Sequence, residues 1–588
     1  MLKLLKCLNK KDLVTVFLIV VLIICQVALE LKMPDYMSTI TVLVQTEGSA
    51  MSEILKNGAF MLLCALGSLG FMVLAKYQTT NLSATFSMKI RKKLFNKVEE
   101  LSLNEVKEFS TSSLITRTTN DITQVQMLVG MGLMQMIKAP ITAIWAISKI
   151  LNKSVEWSIA TAVAVSILMT TIGILTAIVV PRFKIVQKLI DKLNSVTREN
   201  LNGIRVVRAF NAEEYQQNKF EKVNTDLTNM QLFNQKAFAL LDPIMTTVMF
   251  GVTLSIYFIG ALLIASAGAM EKIMLFGNMV VFGTYATQVI MSFLVLAFTF
   301  MMLPRAQVSA KRINEVLDTE ITVKPGELKE NITKERGTVE FKNVCFKYPD
   351  ADEYLLKDIS FRAEKGETVA FIGSTGSGKS TLINLVPRFY DATEGVVLVD
   401  GVDVKKYSQE FLNNKIGYVS QKAVIFDGTV NFNVAYGDNG RGKISDNKIK
   451  KAIEVAQAKE FVEKMDEDYE TELAQGGTNI SGGQKQRISI ARAIAREPEI
   501  YIFDDSFSAL DYKTDSSLRK ALKEYTKDAT CLIVAQRIGT IMNADKIIVL
   551  DKGEVVGQGT HKELLRTCEV YKEIALSQLS KEELEHAE

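Results

Sequence analysis

The chain reads Gly373-Ser374-Thr375-Gly376-Ser377-Gly378-Lys379-Ser380-Thr381, which matches the pattern G-x-x-x-x-G-K-[ST] at every fixed position. The apolar run Thr368–Ile372 before this loop predicts a buried strand, and Leu382–Val386 after it predicts a helix. A glycine-rich loop in this setting aims backbone N–H groups at one point and binds phosphate there. Lys379 is then placed to reach the β- and γ-phosphates, and the Ser380 hydroxyl to ligate Mg²⁺. The loop therefore predicts a site for ATP and Mg²⁺.

Long uncharged runs dominate the first 320 residues, and a membrane-spanning helix needs about 20 apolar residues. Five runs qualify: Leu13–Leu29, Asn57–Ala75, Trp157–Pro181, Pro243–Met270 and Ile273–Pro304. A sixth candidate lies between Asp121 and Lys149 and is interrupted by Lys138. One such run could be a buried helix of a soluble protein, but six predict an all-α transmembrane domain over residues 1–320, set in a lipid bilayer.

The basic residues predict how the spans are oriented. Four lysines precede the first span, and no small-residue cleavage site follows it, so we interpret this segment as a retained span and not as a signal peptide. The loop 76–121 is rich in Lys and Arg, whereas the loop 30–56 holds only Lys32 and Lys56. The positive-inside rule then places the N-terminus, and the residues after the sixth span, in the cytoplasm of a multi-pass cell-membrane protein.

Two cytoplasmic loops, 76–121 and 182–240, have helical patterns and are long enough to continue the spans beyond the bilayer. Each pair of helices must turn at its tip, near Glu108–Ser113 and near Ala209–Tyr215. Two charges, Lys138 and Asp242, fall within or beside apolar runs. They could line a substrate path, but a position near the membrane interface, where Lys138 extends its ammonium to water, is the interpretation we favour.

The second half has the pattern of an α/β protein. Residues 306–336 are polar and predict a linker, and Thr338–Phe346 alternates as a strand does. The apolar run Ile500–Phe503 ends at Asp504, which predicts a buried strand presenting a carboxylate to Mg²⁺. Together with the loop at 373–381, this predicts an α/β P-loop nucleotide-binding domain over residues 321–588, built on a mostly parallel sheet.

Composition excludes several other classes. The net charge of +3 gives no reason to expect a nucleic-acid partner. The six cysteines are scattered without a CxxC spacing, so neither a zinc site nor a disulfide framework is indicated. Only two histidines are present, His561 and His586.

A third motif narrows the class. The stretch Asn479-Ile480-Ser481-Gly482-Gly483-Gln484-Lys485-Gln486-Arg487 resembles the signature LSGGQ-x-QR of ABC transporters, with Ile480 in place of leucine. The order of motifs resembles ABC nucleotide-binding domains throughout: Tyr348, the loop at 373–381, Gln421, the signature, Asp504 and Ser508–Asp511. The first half resembles the six-span domain of ABC exporters, with family-like segments at Asn202–Phe210 and Ser309–Ile313. The chain thus resembles a half-transporter of an ABC exporter.

This resemblance implies a role for each matching residue. Tyr348 would stack on adenine, with ATP held by Gly373, Ser374, Thr375, Gly376, Ser377, Gly378, Lys379, Ser380, Thr381 and Gln421. Mg²⁺ would be held by Ser380, Gln421 and Asp504. ATP on a second chain would be contacted across the interface by Ser481, Gly482, Gly483, Gln484 and Asp511. The turns near 108–113 and 209–215 would be coupling helices, which rest on the nucleotide domains.

Two positions depart from the family's pattern. Asp505 stands where the family has the glutamate that polarises the attacking water, and its carboxylate is shorter by roughly 1.5 Å, while a misplacement of about 1 Å can cost roughly a hundredfold in rate. Gln536, in Val534-Ala535-Gln536-Arg537, stands where the family has histidine, and an amide cannot become cationic. A smaller departure is Ala474-Gln475-Gly476-Gly477, where the family has Gly-Glu-Arg-Gly.

These departures predict a site that binds ATP but hydrolyses it slowly, beside a signature that is intact. The first hypothesis is an exporter that works as a heterodimer, with a non-identical half-transporter supplying its own glutamate and histidine. The alternatives are a homodimeric exporter with two slow sites and an ATP-sensing regulatory subunit. The substrate would be hydrophobic or amphipathic, and the sequence does not choose among lipid, peptide and drug.

Overall fold

Apolar patterning in the first 320 residues produces long helices. A computed structural model of the chain describes residues 2–46, 48–151, 153, 155–437 and 439–578. Within these residues, six helical segments are long and apolar enough to cross a membrane, as predicted: Lys10–Gln45, Met51–Glu100, Thr111–Leu151, Val155–Asn202, Glu213–Ser266 and Glu271–Asp318.

The helices of this half include short ones at the chain start and at the tips of the long pairs. They are α1 (Leu2–Leu5), α2 (Lys10–Gln45), α3 (Met51–Glu100), α4 (Leu103–Phe109), α5 (Thr111–Thr116), α6 (Ile122–Met127), α7 (Leu133–Leu151), α8 (Val155–Asn202), α9 (Ile204–Ala209), α10 (Glu213–Ala239), α11 (Leu241–Ser266) and α12 (Ala269–Asp318). Two π-helical turns, Arg117–Asp121 and Leu128–Gly132, interrupt the third span. Because these turns are themselves helical, the third span is helical along its whole length.

Contacts divide the chain into two compact units. The first comprises residues 1–99 and 111–319, and the second comprises residues 100–110 and 320–588. The linker predicted over 306–336 therefore begins too early, because α12 continues to Asp318. Ala306, Ala310 and Ile313 are buried at helical spacing, and this apolar stripe keeps the segment helical.

The first unit has an apolar core among its helices and apolar side chains on its outside. Tyr285, Phe282 and Trp157 are among the largest buried side chains of the core. Leu62, Phe250 and many other large apolar side chains are exposed, which suits helices surrounded by lipid.

The second unit contains three sheets and ten further helices among its described residues. The strands are β1 (Val339–Phe346), β2 (Leu356–Ala363), β3 (Thr368–Gly373), β4 (Glu394–Val399), β5 (Val402–Asp403), β6 (Ile416–Val419), β7 (Gly428–Thr429), β8 (Glu472–Leu473), β9 (Ile500–Asp504), β10 (Thr530–Val534), β11 (Lys546–Asp551) and β12 (Glu554–Gly559). The helices are α13 (Lys379–Asn384), α14 (Gln409–Asn414), α15 (Val430–Val434), α16 (Asp446–Val455), α17 (Lys459–Val462), α18 (Gly482–Ala495), α19 (Tyr512–Tyr525), α20 (Ile538–Ile541), α21 (His561–Thr567) and α22 (Glu569–Leu576).

The largest sheet has the strand order β12-β11-β3-β10-β9-β6, and all neighbours are parallel except β12, which is antiparallel to β11. An antiparallel sheet, β2-β1-β4-β5, packs its apolar side chains with those of β3 and α13 in one core. A second core lies among α15, α16, α17 and α18. This agrees with the predicted α/β class and its mostly parallel sheet.

Strand order positions the site. In a parallel sheet the carboxyl ends of neighbouring strands meet at one edge, where ligands bind. The loop 373–381 follows β3, and Gln536 follows β10. Asp504 ends β9 with Asp505 next in the chain, and Gln421 follows β6. These four strands are consecutive in the sheet, so residues far apart in sequence come together.

Candidate functional site

The loop after β3 has the backbone shape that its glycines predict. Gly376 has φ +87° and Gly378 has φ +94°, values that side chains other than glycine rarely adopt. A Cβ at Gly378 would also lie 2.6 Å from Leu356 Cδ2, so glycine is required there on two grounds. Ser374, Thr375 and Gly376 form the exposed tip of the loop. The cradle is therefore open where a phosphate would enter.

Lys379 begins α13 and lies beneath the loop. Its Nζ donates to the carbonyl oxygens of Gly373 at 2.9 Å and Ser374 at 2.8 Å. Burial lowers the pKa of this ammonium, while the carboxylates of Asp504 and Asp505 oppose that effect. The Ser377 hydroxyl also accepts from Nζ at 3.4 Å, so the hydrogen-bond partners of this ammonium are all neutral. A buried ammonium with neutral partners gains much from a phosphate, because an opposite charge compensates its desolvation.

Two predicted Mg²⁺ ligands meet directly. Ser380 Oγ donates to Asp504 Oδ1 at 2.7 Å. Burial raises the pKa of Asp504, and Ser380's hydrogen bond opposes that rise. A hydroxyl and a carboxylate at this spacing are hard oxygen donors of the kind that Mg²⁺ prefers. The third predicted ligand, Gln421, forms its hydrogen bond with Asp505.

Asp505 accepts hydrogen bonds from two glutamines. Its carboxylate oxygen Oδ2 accepts from Gln421 Nε2 at 3.2 Å and from Gln536 Nε2 at 2.8 Å. Asp505 is 7% exposed and has φ +46°, a left-handed conformation that aspartate tolerates better than most residues. Burial raises the pKa of Asp505, and Gln421's hydrogen bond opposes this. The two positions that depart from the family pattern are therefore direct neighbours.

Neither histidine substitutes for Gln536 within the described part of the chain. His561 Nδ1 lies 2.7 Å from Tyr571 Oη in a separate apolar core, and His586 is outside the described residues. The group that contacts Asp505 from this position is thus the neutral amide of Gln536.

Tyr348, the predicted adenine platform, is tied to the loop. Its hydroxyl lies 3.0 Å from Thr381 Oγ1, and the Tyr390 ring meets it edge to face at 5.4 Å. Lys107 Nζ lies 4.9 Å from the centre of the Tyr348 ring. Sequence reasoning missed Lys107 and Tyr390, because no motif links either residue to position 348.

Lys107 belongs to α4, which packs with the nucleotide domain in the second unit. The same helix is held by Glu105, whose carboxylate accepts from the Thr322 hydroxyl at 2.7 Å. Ser102 caps α4 in a capping box with Glu105. The turn predicted near 108–113 falls at Ser110, between α4, which ends at Phe109, and α5, which begins at Thr111.

The signature forms the start of α18. Ser481 is its exposed N-cap and accepts from the Gln484 N–H, while Gln484 Oε1 accepts from the Ser481 N–H at 2.8 Å. Beyond its chain neighbours and the backbone of its own helix, no atom lies within 4 Å of a Cβ built on Gly482, so the helix start is open. Asp511 in turn caps α19 through the Thr514 N–H. Across the described residues, no hydrogen bond joins Ser481–Gln484 to the loop 373–381 of the same chain.

The two charges in the spans have different surroundings. Lys138 Nζ lies 3.1 Å from the Glu30 carboxylate on α2, so the ammonium that interrupts the third span is paired. Asp242 is exposed near the start of α11. The sequence did not predict this ion pair between α7 and α2.

Comparison with known proteins agrees with this architecture. The family described as ABC transporter matches residues 356–508, and the family described as ABC transporter transmembrane region matches residues 16–293. An uncharacterized ABC transporter ATP-binding protein of Mycobacterium tuberculosis (strain ATCC 25618 / H37Rv) is 38% identical over 554 residues, 92% of this chain and 93% of the relative. A Staphylococcus aureus (strain NCTC 8325 / PS 47) protein, provisionally named a multidrug export ATP-binding/permease protein, is 32% identical over 82% of each chain.

A solved structure gives the same fold. A bacterial Atm1-family ABC exporter with ATP bound superimposes with a TM-score of 0.80 and 24% identity, covering 97% of this chain and all of the other. The matched relatives cover both halves of this chain in one polypeptide. The chain therefore belongs to the ABC transporter family, as an ABC exporter half-transporter with an N-terminal transmembrane domain and a C-terminal ABC nucleotide-binding domain.

Proposed function

We propose that this chain is one half of a heterodimeric ABC exporter, that its own loop site binds ATP but hydrolyses it slowly, and that its signature completes the active site of its partner. The observation that carries the proposal is the contact of Asp505 with both Gln421 and Gln536. ATP with Mg²⁺ supplies the phosphoanhydride bond and the neutralising charge. Tyr348, Lys379, Ser380 and Asp504 have the geometry to hold them.

Three features of Asp505 make it a poor general base. Its carboxylate is one methylene shorter than that of glutamate, and a reacting group displaced by about 1 Å can lose roughly a hundredfold in rate. Both amide donors use the same oxygen, Oδ2, which lowers the capacity of that oxygen to accept a proton from water. The left-handed backbone at Asp505 fixes the direction of the short side chain.

Gln536 adds a second deficit. Its amide donates to Asp505, and it stays neutral where a histidine could place a positive charge beside the γ-phosphate. Charge that develops on phosphoryl oxygens during transfer is best stabilised by positioned cations. Lys379 supplies a cation at this loop, whereas Gln536 supplies none.

The signature supports the second part of the proposal. The exposed start of α18 presents backbone N–H groups and the positive end of the helix dipole, which suit a γ-phosphate. It makes no hydrogen bond to the loop 373–381 of its own chain among the described residues. The exposed start of α18 therefore fits ATP bound to a partner chain. Asp511 would lie beside that ATP.

The second helical tip also suits a partner. Within α9 and just after it, Val206 is 61% exposed and Phe210 is 78% exposed. Apolar side chains at a polar helical tip gain from burial against another surface. We assign α9 as the coupling helix that docks on the partner's nucleotide domain, and α4 as the one that docks on its own.

Orientation and substrate follow from the membrane half. Basic residues concentrate in the loop 76–121, so the N-terminus and both nucleotide domains would face the cytoplasm. The Staphylococcus aureus relative is named for multidrug export, which supports a hydrophobic or amphipathic substrate for this chain. ATP binding would close the nucleotide domains, and the coupling helices would transmit this closure to the spans.

The test is to isolate the tagged chain from its native membrane and to identify any half-transporter that co-purifies. The pair should hydrolyse ATP, and the chain alone should hydrolyse it at least tenfold more slowly. Robust ATPase activity of the chain alone that Asp505→Asn abolishes would favour a homodimer and contradict the proposal. Transport by the pair in inverted vesicles, if lost on Ser481→Asp, would argue against a purely regulatory subunit.

A further inference from the structure

A polar cavity lies at one end of the transmembrane bundle, away from the ATP site. It measures about 490 Å³ and is lined by Asp35, Trp145, Ser148, Lys149, Lys153 and Asn278. These residues come from the last third of α2, the end of α7, the turn after α7 and the start of α12. In the orientation proposed above, this end faces the outside of the cell.

Asp35 holds three helices together in this cavity. Lys149 Nζ lies 2.6 Å from Asp35 Oδ2, and the buried Tyr285 hydroxyl donates to Asp35 Oδ1 at 2.7 Å. Both carboxylate oxygens are therefore engaged, and the charge of Asp35 is neutralised by Lys149. Helix packing alone accounts for this part of the cluster.

Lys153 is not explained by packing. Its Nζ donates to the neutral Asn278 Oδ1 at 2.8 Å, and no carboxylate among the described residues forms an ion pair with it. Burial lowers the pKa of Lys153, and Lys149 adds to this effect while Asp35 opposes it. Two ammonium groups and one carboxylate leave the cavity with an excess of one positive charge. An uncompensated, partly buried cation beside another cation is unfavourable unless an anion joins it.

We propose that this cavity binds an oxyanion, a phosphate or carboxylate group, between Lys149 and Lys153. Lysine ammonium groups are compact point charges that bind phosphate oxygens, and Trp145 belongs to the residue type that marks membrane interfaces. The anion could be the headgroup of an outer-leaflet phospholipid or a soluble anion arriving from outside. This inference does not depend on which ATP site hydrolyses.

The chain offers a built-in reporter for the test. It contains two tryptophans, of which Trp145 lines the cavity while Trp157 is buried against Phe282. Trp157→Phe leaves Trp145 as the single tryptophan of the full-length chain. Titration of this protein in detergent with inorganic phosphate, at constant ionic strength, should give a saturable change in Trp145 emission.

Three variants in this background separate binding from packing. Lys153→Gln should weaken the apparent phosphate affinity by roughly tenfold or more, as expected for loss of a charge-assisted hydrogen bond. Asp35→Asn should tighten it, because Lys149 is freed and the cavity gains a positive charge. A purely structural cluster would not bind more tightly after such a change. Lys272→Gln, at an exposed lysine of the same end, should leave the affinity unchanged.

The source of the anion is decided in lipid nanodiscs. A Trp145 response to phosphatidylglycerol over phosphatidylcholine that Lys153→Gln removes would identify the lipid headgroup. A response to soluble phosphate that persists in both lipids would identify a soluble anion. If no saturable response occurs in either arm, or if Lys153→Gln and Asp35→Asn leave it unchanged, the proposal is overturned.

Discussion

Gln536 Nε2 donates a hydrogen bond to Asp505 Oδ2 at 2.8 Å, across the carboxyl ends of the neighbouring strands β10 and β9. This contact joins the two positions at which the chain departs from the ABC pattern. Each residue is therefore the immediate environment of the other. Substituting both residues in one variant is therefore the direct way to test what this contact does.

Restoring the family's glutamate at position 505 and histidine at position 536 should raise the rate of ATP hydrolysis. The double variant Asp505→Glu with Gln536→His should increase the ATPase rate of the purified chain by roughly a hundredfold, because the carboxylate regains its reach and a cation becomes available. Either single change should give much less, since the two groups act as a unit. The measurement is steady-state phosphate release, with Lys379→Ala added to the double variant as the control that must remove the gain. An unchanged rate in the double variant would show that the slow site has another cause.

Asp505 should also affect stability in a pH-dependent manner. Burial raises the pKa of this acid in the folded state, so its ionised form destabilises the fold above that pKa. Asp505→Asn should therefore stabilise the nucleotide domain at neutral pH, by on the order of 1 kcal/mol for each unit of the pKa shift. The gain should shrink as pH falls through the raised folded-state pKa and should be lost below the ordinary value of 3.8, where Asp505 is protonated in both states.

Thermal unfolding of the full-length chain from pH 7.5 down to pH 3.5 tests this trend. Asp427→Asn is a control, since Asp427 is an exposed residue outside the site. A stabilisation by Asp505→Asn that stays constant or grows at lower pH would contradict the assigned cause.

A buried ion triad should be a strong determinant of stability in the second unit. Lys415 Nζ lies 2.7 Å from Asp400 and 3.0 Å from Glu499, with side chains of Lys415 and Asp400 only 5% and 1% exposed. Lys415→Met leaves the Asp400 charge buried without a partner, which costs roughly 3–5 kcal/mol. The melting temperature of this unit should fall by about 10 °C. Adding Asp400→Asn should recover most of the loss, whereas two independent effects would simply add.

The sequence predicted the spans and the ATP loop well, because both depend on local patterns. Long apolar runs specify membrane helices by themselves, and the loop 373–381 specifies its own backbone through Gly376 and Gly378. The meeting of Ser380 with Asp504 was also predictable, since Asp504 ends the apolar strand β9 and Ser380 follows the loop after the apolar strand β3.

Contacts between distant segments were not predictable in the same way. The pairing of Lys138 with Glu30 depends on the register of two helices that no local pattern fixes. Lys107 reaches Tyr348 because α4 packs with the nucleotide domain, more than 200 residues later in the chain. Gln421 donates to Asp505 across the neighbouring strands β6 and β9, a contact between distant segments that no local pattern specifies.

The role of the signature can be separated from its role as a helix cap. Ser481→Ala removes the N-cap of α18 and should cost about 1 kcal/mol of stability. Ser481→Asp keeps a good cap and favours the helix dipole, so stability should be unchanged, but it places a negative charge where the partner's γ-phosphate would lie. Thermal unfolding of the two variants checks that the aspartate variant is folded.

The central claim is that this chain contributes to catalysis through Ser481 and not through Asp505. The direct measurement is the ATPase rate of the chain with its co-purified partner, compared among wild type, Asp505→Asn and Ser481→Asp. The account predicts that Asp505→Asn keeps at least half of the rate and that Ser481→Asp loses on the order of a hundredfold. Loss of the rate in Asp505→Asn, with a rate near wild type in Ser481→Asp, would contradict it.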